Sequence, residues 1–136
     1  MNFRPPKERS MWDTWIFPWK EEYHLFFLES AESPSDRVGH WVGKDLVHWE
    51  ERPSIPITTG VAGDWNEHGG ILTGLVVHHQ GRFYLYAGAM PQRAQQTGLF
   101  ISEDLDTWSP HPENPVLVAA GPHYLDHVVP SLFHDQ

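Results

Sequence analysis

Short apolar runs separated by turn-forming residues dominate the chain. The clearest run extends from Tyr23 to Leu28 and consists almost wholly of aromatic and aliphatic side chains, which suit a pleated surface. We predict that it is a buried strand. Twelve prolines and eleven glycines punctuate the chain, and this favours many short strands joined by turns over a helical bundle. The predicted fold class is therefore all-β.

An internal repeat organises these runs. The segment 45–49, Asp-Leu-Val-His-Trp, recurs as Asp-Leu-Asp-Thr-Trp at 104–108, which is 59 residues later. The strand run at 23–26 recurs at 83–86, 60 residues later. In each Asp-Leu-x-x-Trp segment we expect the Asp to cap a turn by accepting backbone N–H groups, and the Leu and Trp to pack between sheets.

Each repeat is predicted to form four short strands. They are placed at 15–18, 23–29, 37–42 and 48–52 in the first unit, and at 71–78, 82–89, 98–102 and 107–110 in the second. A four-stranded sheet of this length is a blade of a β-propeller. The predicted blades span about residues 12–57 and 71–117, and a third begins at about 124–136.

Two blades and the start of a third do not close a ring. An open arc leaves strand edges unpaired and sheet faces half covered. We therefore expect either that the chain is a piece of a longer protein or that other copies of it complete the arc as a homo-oligomer.

Charge and composition narrow the function classes. The formal net charge is −9, which disfavours nucleic acid and anionic membrane surfaces as partners and is compatible with a neutral carbohydrate. No run approaches the roughly 18 apolar residues of a membrane span. Cysteine is absent, and residues 1–10 do not resemble a secretory signal, so a cytoplasmic location is expected. No cofactor is predicted.

Several segments together resemble glycoside hydrolase family 32, in particular its bacterial β-fructosidase-like branch of five-bladed propeller hydrolases. The resemblance extends from about Trp12 to Asp135 with the motifs in the same order. It rests on Trp12-Asp13-Thr14-Trp15, the strand at 23–26, Val38-Gly39-His40, the two Asp-Leu-x-x-Trp segments, Thr73-Gly74, and residues 98–102 with Asn114-Pro115-Val116.

This resemblance implies a pocket on the propeller axis that holds three carboxylates. Asp13 matches the nucleophile, although an Asp in this setting can also cap a turn. Asp126 is the nearest match to the acid that stabilises the transition state, but it lacks the flanking Arg and Pro of that motif. The general acid, a glutamate, would lie beyond Gln136. Because retaining hydrolysis needs two carboxyl groups, the chain as given is expected to be inactive unless another chain supplies the acid.

Other residues are predicted to contact the sugar. Trp12 and Trp15 would line the sugar subsite, and Asp64, Trp65 and Thr73 would reach toward the pocket. The competing interpretation of residues 60–70 is a surface loop with Trp65 folded back on the sheet. Equally, all seven tryptophans could belong to the core.

The histidines do not predict a metal site. His78 and His79 are neighbours on a strand and point to opposite faces, while His123 and His127 would need a helix to come together. The glutamates at 29, 32, 50, 51 and 103 are interpreted as solvated faces and turns.

The first prediction is a hydrolase of fructosides or related glycosides. The alternative is a non-catalytic module that binds carbohydrate or assembles with partner chains. A third assignment is to five-bladed propellers that act on arabinosides or mannosides, in which the acid of the first blade serves as a base.

Overall fold

The computed structural model of the chain describes residues 9–30, 37–57, 61–67, 70–89 and 95–118. These residues form two antiparallel sheets. The strands are β1 (Ser10–Trp19), β2 (Glu22–Ser30), β3 (Arg37–Gly43), β4 (Glu50–Pro56), β5 (Ile71–His79), β6 (Arg82–Ala89), β7 (Gln96–Ser102), β8 (Ser109–Pro110) and β9 (Leu117–Val118). No helix able to cross a membrane occurs in this described part of the chain.

The first sheet, called blade 1 here, is a meander in the order β1-β2-β3-β4. Its central strand β2 is buried along nearly its whole length. Phe26 and Leu28 on β2 belong to the large core that blade 1 shares with the second sheet, whereas Leu25 and Phe27 belong to a smaller cluster on the opposite face. This division explains the continuous apolar run, because a strand covered on both faces has no reason to alternate with polar residues.

The second sheet, called blade 2, has the order β5-β6-β7-β8, with β9 also paired to β7. Its outer edge is divided because β8 and β9 pair with successive parts of β7. Asn114 fills the gap between them: its side chain accepts a hydrogen bond from the Leu99 N–H at 2.8 Å and donates one to the Leu99 carbonyl at 3.1 Å. The blade therefore keeps its backbone groups paired where the fourth strand is interrupted.

The two Asp-Leu-x-x-Trp turns have the predicted cap. Asp45 Oδ1 accepts hydrogen bonds from the N–H groups of Val47 and His48 at 3.1 and 2.8 Å. In blade 2, Asp104 Oδ1 accepts them from residues 106 and 107 at 2.9 and 2.7 Å. Hydrogen bonds hold the pKa of both carboxyls below its ordinary value: the one with the His48 side chain is foremost for Asp45, and the one with the Thr107 amide is foremost for Asp104.

Burial of the leucine that follows the cap was predicted for both turns and is correct for only one. Leu105 is 2% exposed and lies in the shared core, whereas Leu46 is 48% exposed. The prediction for Leu46 is wrong because blade 2 covers only one face of blade 1, and Leu46 lies on the other.

The predicted strands are all present, with some bounds displaced. The first begins at Ser10 rather than at Trp15, so Asp13 lies within β1 and not in a turn ahead of the sheet. The fourth strand of blade 1 begins at Glu50 rather than at His48, because the capped turn takes up the intervening residues. The predicted third unit at about 124–136 lies outside the described residues.

The interpretation of the glutamates as solvated is wrong for Glu29. It is 5% exposed and accepts a hydrogen bond from Ser54 Oγ at 2.9 Å. Its carboxylate also lies 3.5 Å from Arg9 Nε and 4.0 Å from Arg37 Nε. These contacts connect β2 to β3, to β4 and to the residue before β1.

Candidate functional site

The innermost strands of the two blades carry an irregularity at the same place in the repeat. In blade 1, Met11 pairs with Glu29 and Thr14 with Phe27, so β1 has one more residue between the pairs than β2. In blade 2 the same extra residue occurs between Ile71 and Gly74 on β5. A bulge of this kind turns side chains out of the regular alternation and often lies beside a site.

The two bulges bring together Asp13 and Thr73, which are 60 residues apart in sequence and are equivalent positions of the repeat. The Thr73 hydroxyl donates a hydrogen bond to Asp13 Oδ2. This bond holds one carboxylate oxygen, and among the described residues the other oxygen, Oδ1, has no hydrogen-bond partner. Asp13 itself is exposed and Thr73 is half-buried, so the carboxylate can be reached from outside.

The two tryptophans that flank Asp13 in sequence have different environments. Trp12 is 41% exposed and directly precedes Asp13 in the sequence. Trp15 is 9% exposed, belongs to the core between the blades, and stacks on Phe26 at 6.1 Å between ring centroids. Trp15 thus packs in the core between the blades, and its predicted place in the sugar subsite stays a prediction.

The loop at 61–67 holds the other two predicted contacts. Asp64 Oδ1 accepts a hydrogen bond from the Trp65 N–H at 2.9 Å, as a turn-forming Asp does. Trp65 packs against the core, and its indole occupies the space that a side chain at Gly98 would fill. The folded-back placement of Trp65 is the one observed, and its role in sugar binding stays a prediction.

Asp126 lies outside the described residues, so its role also stays a prediction. A metal centre finds no support in the described ranges, where no three His, Cys, Asp or Glu side chains come together at a spacing suited to an ion.

The structure does bring together two histidines that the sequence analysis missed. His24 Nδ1 lies 2.9 Å from His40 Nε2, and both rings are buried between the blades. Burial is the main cause that lowers the pKa of His40 to about 3 and also lowers that of His24. The two histidines are 16 residues apart in sequence. The register of the hairpin could have predicted their contact, because His24 pairs with Val42 and His40 pairs with Phe26. This makes the histidines diagonal neighbours on one face.

The Asp13 carboxylate has features that a nucleophile needs. A carboxylate that is exposed and held at one oxygen can attack an electrophilic carbon of a ligand such as a sugar ring. Turn capping, the competing interpretation of Asp13, does not describe this geometry, because Asp13 lies within a strand and bonds a side chain of the neighbouring blade.

Comparison with known proteins places this geometry in a family. The profile of the glycosyl hydrolases family 32 N-terminal domain matches residues 13–129. An acid beta-fructofuranosidase of Vicia faba is 32% identical over 110 residues, which cover 74% of this chain and 16% of the relative. A vacuolar acid beta-fructofuranosidase of Arabidopsis thaliana is 33% identical over 110 residues, with the same coverage of 74% and 16%. The chain thus spans 16% of the length of these relatives.

A solved structure has the same fold. The Bombyx mori GH32 beta-fructofuranosidase BmSUC1 superposes with a TM-score of 0.61 at 22% sequence identity, covering 83% of this chain and 25% of that one. The likeness confirms the predicted all-β architecture of antiparallel propeller blades. Together with the matched profile it leads to one assignment: the chain belongs to glycosyl hydrolase family 32, and residues 13–129 match the N-terminal domain of that family.

Proposed function

We propose that this chain supplies the nucleophile of a β-fructosidase-like hydrolase and that Asp13 is that nucleophile. The observation that carries the proposal is the hydrogen bond from the Thr73 hydroxyl to Asp13 Oδ2 at the paired bulges of the two innermost strands. A fructoside is the substrate class indicated by the beta-fructofuranosidases to which the chain is similar.

In this mechanism Asp13 Oδ1 attacks the anomeric carbon of the fructosyl unit. The bond from that carbon to the leaving oxygen breaks as the ester to Asp13 forms, and the leaving oxygen takes a proton from a general acid. Water then hydrolyses the ester and restores the carboxylate. Thr73 acts as a positioning residue, because its hydroxyl fixes the orientation of the carboxylate. Trp12 would cover one face of the sugar ring.

We expect the general acid to come from residues outside the described ranges or from another chain. Retaining hydrolysis places the two carboxyl groups about 5 Å apart. The Glu29 carboxylate already accepts a hydrogen bond from Ser54 and forms ion pairs with two arginines. The Asp64 carboxylate accepts a hydrogen bond from the Trp65 N–H. Asp126 remains the proposed stabiliser of the transition state.

The test uses a fructosyl fluoride, whose leaving group departs without a proton and so needs no general acid. We expect the 136-residue chain to gain the mass of one fructosyl unit, and peptide mapping to place that unit on Asp13. Asp13→Asn should gain nothing. Thr73→Val should label about 10- to 100-fold more slowly, since a hydrogen bond to a charged group contributes about 1.5–3 kcal/mol. Thr73→Ser keeps the hydroxyl and should label at a rate close to that of the wild type.

The matched control is Glu51→Gln, which removes an exposed carboxylate from the outer strand β4 and should label as the wild type does. Labelling of Asp13→Asn at the wild-type rate, or an adduct mapped to another residue, would remove Asp13 from the mechanism.

A non-catalytic carbohydrate-binding role is the second candidate. The exposed indole of Trp12 favours it, since aromatic faces bind sugar rings without chemistry. In that case fructan oligomers would bind equally to the wild type and to Asp13→Asn in calorimetry, Trp12→Ala would abolish the binding, and the fluoride would leave no adduct.

A further inference from the structure

Trp15 lies at the junction of the two blades, shortly after Asp13 on β1. It is 9% exposed and belongs to the shared core. Across the ladder it pairs with Phe26 of β2, and the two rings stack with 6.1 Å between their centroids and 19° between their planes. Because Phe26 is fully buried, its ring holds one side of the indole in place.

Another part of the indole contacts blade 2 directly after its bulge. A Cβ at Gly74, the residue that follows Thr73, would lie 3.3 Å from Trp15 Cζ2 and 2.5 Å from the carbonyl oxygen of Tyr86. The second distance leaves no space for a side chain at position 74. The benzo ring of the indole therefore lies against the backbone of β5.

The contact between Trp15 and Gly74 is close to the Asp13–Thr73 hydrogen bond on both strands. Trp15 is the second residue after Asp13 on β1, and Gly74 is the first residue after Thr73 on β5. Both interactions connect the same two strands. The indole that separates the backbones at one of them therefore also affects the distance that the Thr73 hydroxyl has to cross.

The sequence repeat does not require a tryptophan at this position. Blade 2 has the half-buried Leu75 at the equivalent position, 60 residues later, and Leu75 pairs with Tyr86 in the ladder. A blade can thus form its sheet without an indole here. What Trp15 adds in blade 1 is a side chain long enough to reach the neighbouring strand.

The indole nitrogen does not explain the choice of tryptophan. Trp15 Nε1 is buried and has no hydrogen-bond partner in the part of the chain that the structure describes. A buried donor without a partner lowers stability, and phenylalanine would avoid that cost. The property that distinguishes tryptophan from phenylalanine at this site is therefore the greater reach of its ring system.

We propose that Trp15 is a positioning residue for the Asp13 carboxylate. Its indole sets the separation of β1 and β5 at which the Thr73 hydroxyl reaches Asp13 Oδ2. A shorter ring would let this separation change, and the carboxylate would lose its fixed orientation. The consequence for catalysis rests on the proposed role of Asp13 as the nucleophile, whereas the hydrogen bond can be tested without it.

The first test measures the coupling between Asp13 and Thr73 in a double-mutant cycle. Asp13→Asn, Thr73→Val and the double variant are compared with their parent by denaturant titration, first in the wild type and then with Trp15→Phe. We expect a coupling of about 2- to 10-fold in the unfolding equilibrium constant of the wild type, and a coupling close to unity with Trp15→Phe. A general loss of stability caused by Trp15→Phe affects every member of the cycle alike and cancels.

Trp19→Phe is the matched control. Trp19 lies at the far end of the same strand from the bulge and also packs against the shared core. We expect the same substitution there to lower stability and to keep the wild-type coupling. If Trp15→Phe does not fold by circular dichroism, the cycles are repeated in trimethylamine N-oxide, which favours the folded state. A coupling that is absent from the wild type, unchanged by Trp15→Phe, or equally weakened by Trp19→Phe would overturn the proposal.

The second test uses the fructosyl fluoride. Trp15→Phe should lower the maximal rate of labelling without raising the half-saturating concentration, since a buried side chain acts on the carboxylate and not on the sugar. In the Thr73→Val background it should cause no further loss, because the hydrogen bond through which it acts is already gone. An equal loss in both backgrounds, or a raised half-saturating concentration that places Trp15 against the sugar, would contradict the positioning role.

The positioning role and the hydrolase role fail separately. A wild type that shows the Trp15-dependent coupling but gains no adduct at Asp13 would contradict the hydrolase role and support the positioning role. A wild type that is labelled at Asp13, with a coupling that Trp15→Phe leaves unchanged, would contradict the positioning role alone.

Discussion

The turns of the two blades have one sequence pattern and one backbone but two environments. Each has an Asp cap followed by a leucine in the left-handed region, with φ of 62° at Leu46 and 70° at Leu105. A side chain rarely adopts this conformation, so the hydrogen bonds of the cap hold both turns in it. The leucines nonetheless differ in exposure, 48% against 2%. Local sequence decides the shape of the turn, and the adjacent sheet decides what that turn contributes to stability.

The largest expected effect is the loss of stability when the leucine of each turn is shortened to alanine. Leu105→Ala should lower the free energy of unfolding by about 2–5 kcal/mol, because it leaves a cavity in the shared core. Leu46→Ala should change it by no more than about 0.5 kcal/mol at a concentration where the chain is monomeric, since its side chain already contacts water. Denaturant titration followed by tryptophan fluorescence measures both. Equal losses would show that Leu46 is packed as Leu105 is.

A second comparison concerns equivalent glycines. Gly39 and Gly98 are 59 residues apart, and a Cβ at either would overlap an aromatic ring. At Gly39 the ring belongs to Phe27, directly across the ladder and 1% exposed. At Gly98 the residue across the ladder is the small Ala87, and Trp65 covers the glycine from the loop instead.

These glycines are expected to differ in their tolerance of a methyl group. Gly39→Ala should cost about 1–3 kcal/mol of stability, because the packed Phe27 ring has no space into which to move. Gly98→Ala should cost less, since the half-buried Trp65 can shift with its loop. Thermal unfolding compares the two, and a red shift of tryptophan fluorescence in Gly98→Ala would report the displaced indole. A larger loss for Gly98→Ala than for Gly39→Ala would contradict this explanation.

A third expected effect concerns pH. Burial lowers the pKa of His40 from 6.5 to about 3, and burial is also the main cause that lowers the pKa of His24. At His24, the charges of Glu22 and Asp106 oppose the shift and the charge of Arg52 adds to it. The unfolded chain therefore binds more protons than the folded chain as the pH falls below 6.5. Stability should fall over that range and continue to fall toward a pH of about 3.

His40→Leu tests this by giving blade 1 the residue that blade 2 has at position 99. Denaturant titrations between about pH 4.5 and 6.5 should show a weaker pH dependence in this variant. His79→Leu, which changes an exposed histidine outside the pair, should keep the wild-type slope. An unchanged slope in His40→Leu would show that the buried pair is not the source of the effect.

Much of the fold was predictable because its determinants are local. The run at 23–28 and the Asp-Leu-x-x-Trp turns depend on side-chain pattern and backbone conformation within a few residues. The prediction failed where burial depends on distant parts of the chain. Whether Leu46 is buried depends on the neighbouring sheet, and the burial of Glu29 depends on ion pairs assembled from several strands. The same pattern of residues is compatible with an exposed and a buried environment.

By itself the sequence determined the all-β class, the repeat of about 60 residues, the capped turns and the candidacy of Asp13. Only the tertiary structure decided that Thr73 holds Asp13, that Trp15 is a core residue, that Trp65 covers Gly98, and that His24 and His40 form a buried pair. The physical reason is common to these cases. Strand pattern assigns a side chain to a face of its own sheet, whereas its partner is set by the register of the strands and by how the neighbouring sheet or loop packs against it.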